Sequence, residues 1–155
     1  MPRLAGLNAD YLAKQLDDYA EGRRENAIMQ PIAQGLSTED RAAVALYYAR
    51  MDAAAPPPLG AAEPRLNQHG AVLYAQGASS GRVQACQNCH GPAGQGLPPY
   101  PALAGQPSAY VTAQLEAWQN GTRSNDPHGM MKSVAERLSP EDIQAVATYL
   151  AELSP

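Results

Sequence analysis

Cys86, Cys89 and His90 stand together in CQNCH, residues 86–90, and are the side chains best suited to bond chemistry. Two cysteines separated by two residues on one helical turn can each add a thiol across a haem vinyl group, and the histidine that follows then turns its imidazole to the iron. The spacing is a c-type haem attachment signal. A zinc site would need a fourth ligand at suitable spacing, and only His69 and His128 remain, neither in a second Cys/His pair. A thioredoxin-like redox pair would want a βαβ setting, which is missing. The two cysteines lie three apart, so they cannot staple distant parts of a fold.

The elements that must position this motif emerge from an internal repeat. Residues 2–26 align with residues 101–125 at an offset of 99, sharing Pro, Leu-Ala-Gly, Tyr, Gln-Leu, Gly, Arg and Asn. After three extra residues in the second copy, residues 29–51 align with residues 131–153 at an offset of 102, sharing Met, Ala, Leu-Ser, Glu-Asp, Ala-Val-Ala, Tyr and Ala. Each copy reads as two helices. The first runs from about Asp10 to Glu21, or Ala109 to Asn120, and stops at Gly22 or Gly121, where a left-handed residue is wanted. The second opens at Ser37 or Ser139, whose hydroxyl can cap free amides, with Asp40 or Asp142 three residues on and Pro140 at the first helical position. No segment alternates with strand period, so the expected fold class is all-α.

Between the copies, residues 52–64 (DAAAPPPLGAAEP) lack apolar periodicity and read as a Pro/Ala linker. Only the second copy is then preceded by an amphipathic helix from about Arg65 to Gln76, a Gly/Ser turn and the cysteine motif. The domain expectation is a partial half-domain over 1–51 without CxxCH, a linker over 52–64, and a complete domain over 65–155.

Haem iron held by one histidine needs a sixth ligand or an open site, and five methionines compete for it. Met29 stands seven residues before Leu36 and Met131 seven before Leu138, whereas Met130 has no counterpart in the first copy. Met131 is therefore the ligand candidate, in a Gly/Pro/Asn-rich loop. Core filling is the competing role for a methionine, and His128, on the same loop, is the rival ligand.

Composition bounds the rest. The 155 residues suffice for one ordinary domain or two small ones. Eleven basic residues, of which two are lysine, against fifteen acidic ones give a net charge of −4, which argues against nucleic acid as a partner. No apolar run approaches the roughly 20 residues needed to span a bilayer. The first thirty residues show no basic region followed by an apolar one, so no secretory signal is visible in the chain.

On CQNCH, the later Met131 and the PALAG stretch, residues 64–155 resemble a class I cytochrome c domain, and the duplication resembles the bacterial two-haem cytochromes c of the c-four type. The resemblance implies thioethers at Cys86 and Cys89, His90 as proximal and Met131 as distal ligand, and one covalent haem c. Pro101 and Leu103 match the family's Pro-x-Leu-x-Gly, which implies that the Pro101 carbonyl accepts a hydrogen bond from the other nitrogen of His90. Gly70 and Tyr74 on the first helix, with Val146 and Tyr149 on the last, match the family's crossing of terminal helices.

The first half departs from the family. Met29 holds the ligand position, yet no cysteine or histidine occurs in residues 1–51. The expectation is that these residues are the haem-distal half of a domain whose haem-binding half lies upstream, making Met29 the ligand of a second haem. The other reading is a genuine half-domain whose apolar faces meet residues 64–155 or a second copy of the chain.

Two filled axial positions leave no vacant site for peroxide, so the expected function is periplasmic electron transfer and not catalysis. The implied partners are redox proteins of the quinol–cytochrome c reductase, terminal oxidase or dehydrogenase type. Two rivals remain: a docking or electron-entry subunit of such a complex, and a haem peroxidase, in which Met131 does not ligate and His128 and Arg123 serve as distal groups.

Overall fold

A computed structural model describes residues 1–54, 63–78 and 81–155, and every regular element among them is helical. The first copy contains α1 (Ala9–Ala20), α2 (Met29–Gln34) and α3 (Thr38–Ala49). The second contains α4 (Pro64–Gln76), the single turn α5 (Gln87–His90), α6 (Ser108–Gln119), a 3-10 turn (Pro127–Gly129), α7 (Met130–Ala135) and α8 (Pro140–Glu152). Each copy of the repeat therefore holds a short helix, α2 or α7, that periodicity does not announce. Both α2 and α7 are six residues long, under two turns, too short for a 3.6-residue period to register. Most of the linker, residues 55–62, lies outside the described residues, and Pro64 already opens α4, where its missing N–H costs nothing.

Reciprocal caps start α3 and α8. The Ser37 hydroxyl accepts from the Asp40 amide at 3.1 Å, the Asp40 carboxylate accepts from the Ser37 amide, and Ser139 and Asp142 repeat the pair. The ends of α1 and α6 also match. Gly22 and Gly121 turn left-handed, and the amides of Arg24 and Arg123 then close back onto the Asp18 and Ala117 carbonyls.

The main core is built by α4, α6, α7 and α8 around Leu73, Tyr74, Leu115, Trp118, Val146 and Leu150. Its tightest joint is the crossing of α4 on α8. A Cβ built on Gly70 would lie 2.1 Å from the Ala145 carbonyl oxygen and 2.8 Å from Tyr149 Cβ, so backbone meets backbone there. Gly70→Val should destabilise the domain by roughly 3 kcal/mol, because neither carbonyl nor helix axis can yield cheaply. Gly121→Ala, strained at φ +77° but with nothing within 4 Å, should cost only about 1 kcal/mol. Urea unfolding of the two variants checks the order, and equal losses would refute the close crossing.

The first copy leans on the second through a largely polar face. Arg24 donates to Gln15 of its own copy and to Tyr110 and Gln114 of the other; Arg123 donates to Gln114 of its own copy and to Tyr11 and Gln15 of the other. These residues are equivalent at the offset of 99, so the contact is two-fold in pattern. Leu7 and Leu12 meet Ala102 and Ala45 in a small apolar cluster beside it. Among the described residues, that cluster is where buried apolar side chains of the half-domain meet residues 64–155. The outer face of α3 stays open, with Leu46, Tyr47 and Met51 exposed.

Candidate haem site

Cys86 stands at the start of α5, and the amides of Cys89 and His90 both return to its carbonyl at 3.2 and 3.0 Å. One tight turn therefore carries both thiols and the imidazole. It is anchored on α4, where Gln87 Nε2 donates to the Ala75 carbonyl at 2.6 Å and the Tyr74 hydroxyl donates to the Gly91 carbonyl. Both cysteines are free and half-buried. Burial pushes the Cys86 thiol up to about 11, with its own backbone hydrogen bond opposing and Cys89 adding to the rise, so it is a neutral thiol at neutral pH. That does not suit a redox-active pair, which draws on a depressed thiol. Among the described residues no group of three His, Cys, Asp or Glu is arranged for a metal ion.

His90 is buried, and its Nδ1 lies 2.8 Å from the Pro101 carbonyl oxygen. A carbonyl only accepts, so Nδ1 carries the proton and the Nε2 lone pair faces the other way. Burial lowers the His90 pKa, with the Pro101 bond acting against it, which keeps the ring neutral and ready to ligate. The carbonyl is held by its loop. The Gly96 amide donates to the His90 carbonyl at 2.8 Å, and a Cβ on Gly96 would come within 2.6 Å of the Ala102 nitrogen. The Leu103 amide donates to the Gly94 carbonyl at 2.8 Å, so Leu103 enters the main core from this loop.

Met131 also packs on that core, together with Cys86 and Leu103, while Met130 is 40% exposed. The loop setting expected for Met131 is corrected here: it is the second residue of α7. Gly129, at φ +65°, turns the chain sharply enough to begin a helix at once. His128 is exposed beside it. Two residues that the spacing does not announce hold this segment. Asp126 accepts from Trp118 Nε1 at 3.1 Å and from the Lys132 amide at 3.1 Å, tying α6 to the start of α7. An Asp-Pro pair before a helix is the sequence signal available for it. Met29 sits half-buried on α2, apart from both apolar clusters. Arg123 is engaged with Gln114, Asn125, Tyr11 and Gln15 between the two copies.

The donor set fits haem c: two thiols and one oriented neutral imidazole on a turn, facing an apolar cluster that includes a thioether. This is a c-type cytochrome site on an all-helical fold. The chain belongs to the cytochrome c family, whose sequence profile matches residues 68–154. It is 46% identical over 153 residues to a thiosulfate dehydrogenase electron acceptor of Stutzerimonas stutzeri (strain A1501), covering 98% of this chain and 70% of that one. It is 42% identical to cytochrome c4 of Thiocapsa roseopersicina, covering 99% and 79%. Among solved structures, reduced recombinant cytochrome c4 from Pseudomonas stutzeri superposes with a TM-score of 0.88 at 33% identity over 98% of this chain and 84% of that one. Thiosulfate dehydrogenase from Marichromatium purpuratum gives 0.89 at 38% identity over 99% of this chain and 33% of that one. The protein is thus an electron carrier that binds haem c, and not an enzyme. No helix among the described residues is long and apolar enough to cross a membrane.

Proposed function

We propose that Cys86 and Cys89 carry the thioethers, that His90 and Met131 are the axial ligands, and that the carrier takes electrons from a dehydrogenase of the thiosulfate-oxidising kind. Haem c supplies a reversible one-electron couple. The chain's own part is to fix two ligands and exclude water. The His90–Pro101 bond carries the reading, because it sets the tautomer and basicity of the proximal ring before any other contact matters. The apolar cluster around Met131 and Leu103 supports it, since a dry surround favours the reduced, less charged iron.

The donor is argued from the relatives: two of them, 46% and 44% identical, are named as electron acceptors of thiosulfate dehydrogenase. The periplasm is the proposed compartment, because thioether attachment occurs there in bacteria of this family. The net charge of −4 favours a basic patch on the donor and an encounter that slows as salt rises.

Residues 1–51 are proposed to be the haem-distal half of a second, similar domain, with Met29 its ligand. The open face of α3 supports this reading. Two measurements test the assignment. Acidified organic solvent should leave the haem on the protein, and a thiosulfate-oxidising dehydrogenase with thiosulfate should reduce it far faster at low than at high ionic strength. Freely extracted haem would overturn the thioethers, and a protein left oxidised by the working dehydrogenase would overturn the donor.

A further inference from the structure

One residue of the second copy is held mainly by the first. Asn125 Nδ2 donates to Gln15 Oε1 at 2.9 Å and to Asp18 Oδ2 at 2.6 Å, and the Asn125 backbone carbonyl accepts from Lys14 Nζ at 2.8 Å. Lys14, Gln15 and Asp18 lie together on α1. Asp18 is 1% exposed and is itself fixed by Lys14 and by Arg23 Nε at 2.8 Å. Burial would push its pKa up, and the bonds from Lys14, Asn125 and Arg23 bring it below the ordinary carboxylate value, so it is ionised. A hydrogen bond to an ionised acceptor is stronger than one between neutral groups. Within its own copy the Asn125 side chain accepts from Arg123 Nε at 3.0 Å.

The repeat shows what the same side chain does in the other copy. Asn26 is the equivalent residue at the offset of 99, and there Oδ1 accepts from the amides of Ile28 and Met29 at 3.0 Å each, capping the start of α2 within its own copy. In the second copy three extra residues follow, Asp126 takes the amide of Lys132 at the start of α7, and Asn125 is turned across to α1. The local cap has passed to the next residue, which leaves Asn125 for a contact between the copies.

We propose that Asn125 is a positioning residue for Met131, and that through it α1 of the first copy braces the segment that carries the distal ligand of the second. The proposal rests on Met131 as an axial ligand. The links are consecutive. Helix α1 holds Asn125, Asp126 follows it and joins Trp118 Nε1 to the Lys132 amide, and Lys132 follows Met131 on α7. For the Met131 thioether to swing away, the start of α7 must move, and the turn over 126–129 moves with it. That motion pulls on the bonds from Asn125 to Gln15, Asp18 and Lys14. Residues 1–51 therefore resist opening on the Met131 side.

Such a brace differs from a contact that only holds the copies together. Gln106, 4% exposed, also joins them, accepting from the Arg3 amide at 3.0 Å and donating to the Arg3 carbonyl at 2.9 Å, and it shares no hydrogen-bond partner with Asn125. Loosening the copies there leaves the Asn125 bonds in place. An added ligand such as imidazole can take the sixth position only after Met131 has left it, so its binding rate reads the opening of the α7 segment.

The test is stopped-flow binding of imidazole to oxidised holoprotein, with the far-red sulfur-to-iron band and urea stability recorded for each variant. Asn125→Ala should bind imidazole about tenfold faster while keeping the band, the weight of one charge-assisted hydrogen bond. In native holoprotein the Lys132 amide hydrogen should exchange faster by a similar factor, and Gln106→Leu should change neither rate. Asn125→Asp sets two carboxylates face to face and should open the segment further. Adding Asp18→Asn restores an amide–carboxylate pair with the roles exchanged and should bring the rate back toward wild type. An unchanged imidazole rate in Asn125→Ala, with the band present, would overturn the brace alone, as would an equal rise in Gln106→Leu. A band missing from unmodified protein, or retained in Met131→Ala, would overturn the ligand assignment and the proposal with it. If Asn125→Ala does not fold, Lys14→Met decides, because the Lys14 side chain is 40% exposed and its loss opens no core. Imidazole should then bind about threefold faster, the weight of a partly exposed contact, and an unchanged rate would overturn the brace.

Discussion

Met131→Ala is expected to abolish the far-red sulfur-to-iron charge-transfer band of the oxidised protein and to lower its reduction potential, while Met130→Ala does neither. Met131 packs against the cluster that includes Cys86 and Leu103, and Met130 is 40% exposed one residue earlier on α7. Loss of a thioether leaves iron with one imidazole and either water or nothing. Axial ligands command a range of roughly 0.8 V in haem proteins, so the shift should be the largest that any single substitution gives here. An open position should also admit peroxide, so slow peroxidase turnover is expected in the variant and not in the parent. A retained band in Met131→Ala would overturn the assignment, and a band lost only in Met130→Ala would move the ligand by one residue. Asp126→Ala, which frees the start of α7 from Trp118, should weaken the band without removing it.

What could be read from the chain divides along a physical line. The attachment motif is legible because the two covalent bonds and one coordination bond proposed for it must all form within one helical turn, which leaves no freedom in the spacing of Cys86, Cys89 and His90. Ser37 and Ser139 are legible because a cap is local, its donor and acceptor three residues apart. Gly70 could be singled out by resemblance, but only the backbone shows that a single Cβ would meet the Ala145 carbonyl. Neither the Trp118–Asp126 bond nor the reciprocal Arg24 and Arg123 contacts could be read. Each depends on tertiary placement, and the second joins residues 86 to 112 positions apart. Arg123 shows the difference plainly. In sequence it is a polar group near a haem motif and invites a distal catalytic role, whereas in the fold its bonds run to α1, α6 and Asn125.

The second large effect concerns the uncovered face of α3. Residues 43, 46, 47, 50 and 51 line a shallow groove there, and at the offset of 102 they correspond to Ala145, Thr148, Tyr149, Glu152 and Leu153. In the second copy that face receives α4: Ala145 is fully buried beneath Gly70, and Asn67 donates to Glu152. In the first copy Ala43 is exposed and Tyr47 is 64% exposed, so among the described residues the corresponding face is uncovered. The occupant proposed is a glycine-bearing helix like α4, belonging to the haem-binding half that completes the first domain. Ala43→Leu separates the cases. In a protein of residues 1–155 it alters an exposed position and should change stability by less than about 0.5 kcal/mol. In a longer protein whose helix fills the seat, the same substitution would force backbones apart and should cost roughly 1–3 kcal/mol. That longer protein should also carry two haems per chain by pyridine haemochrome and intact mass, and Met29→Ala should change the ligation of the second without releasing it. One haem per native chain, together with an Ala43→Leu variant as stable as its parent, would show instead that the α3 face has no such partner.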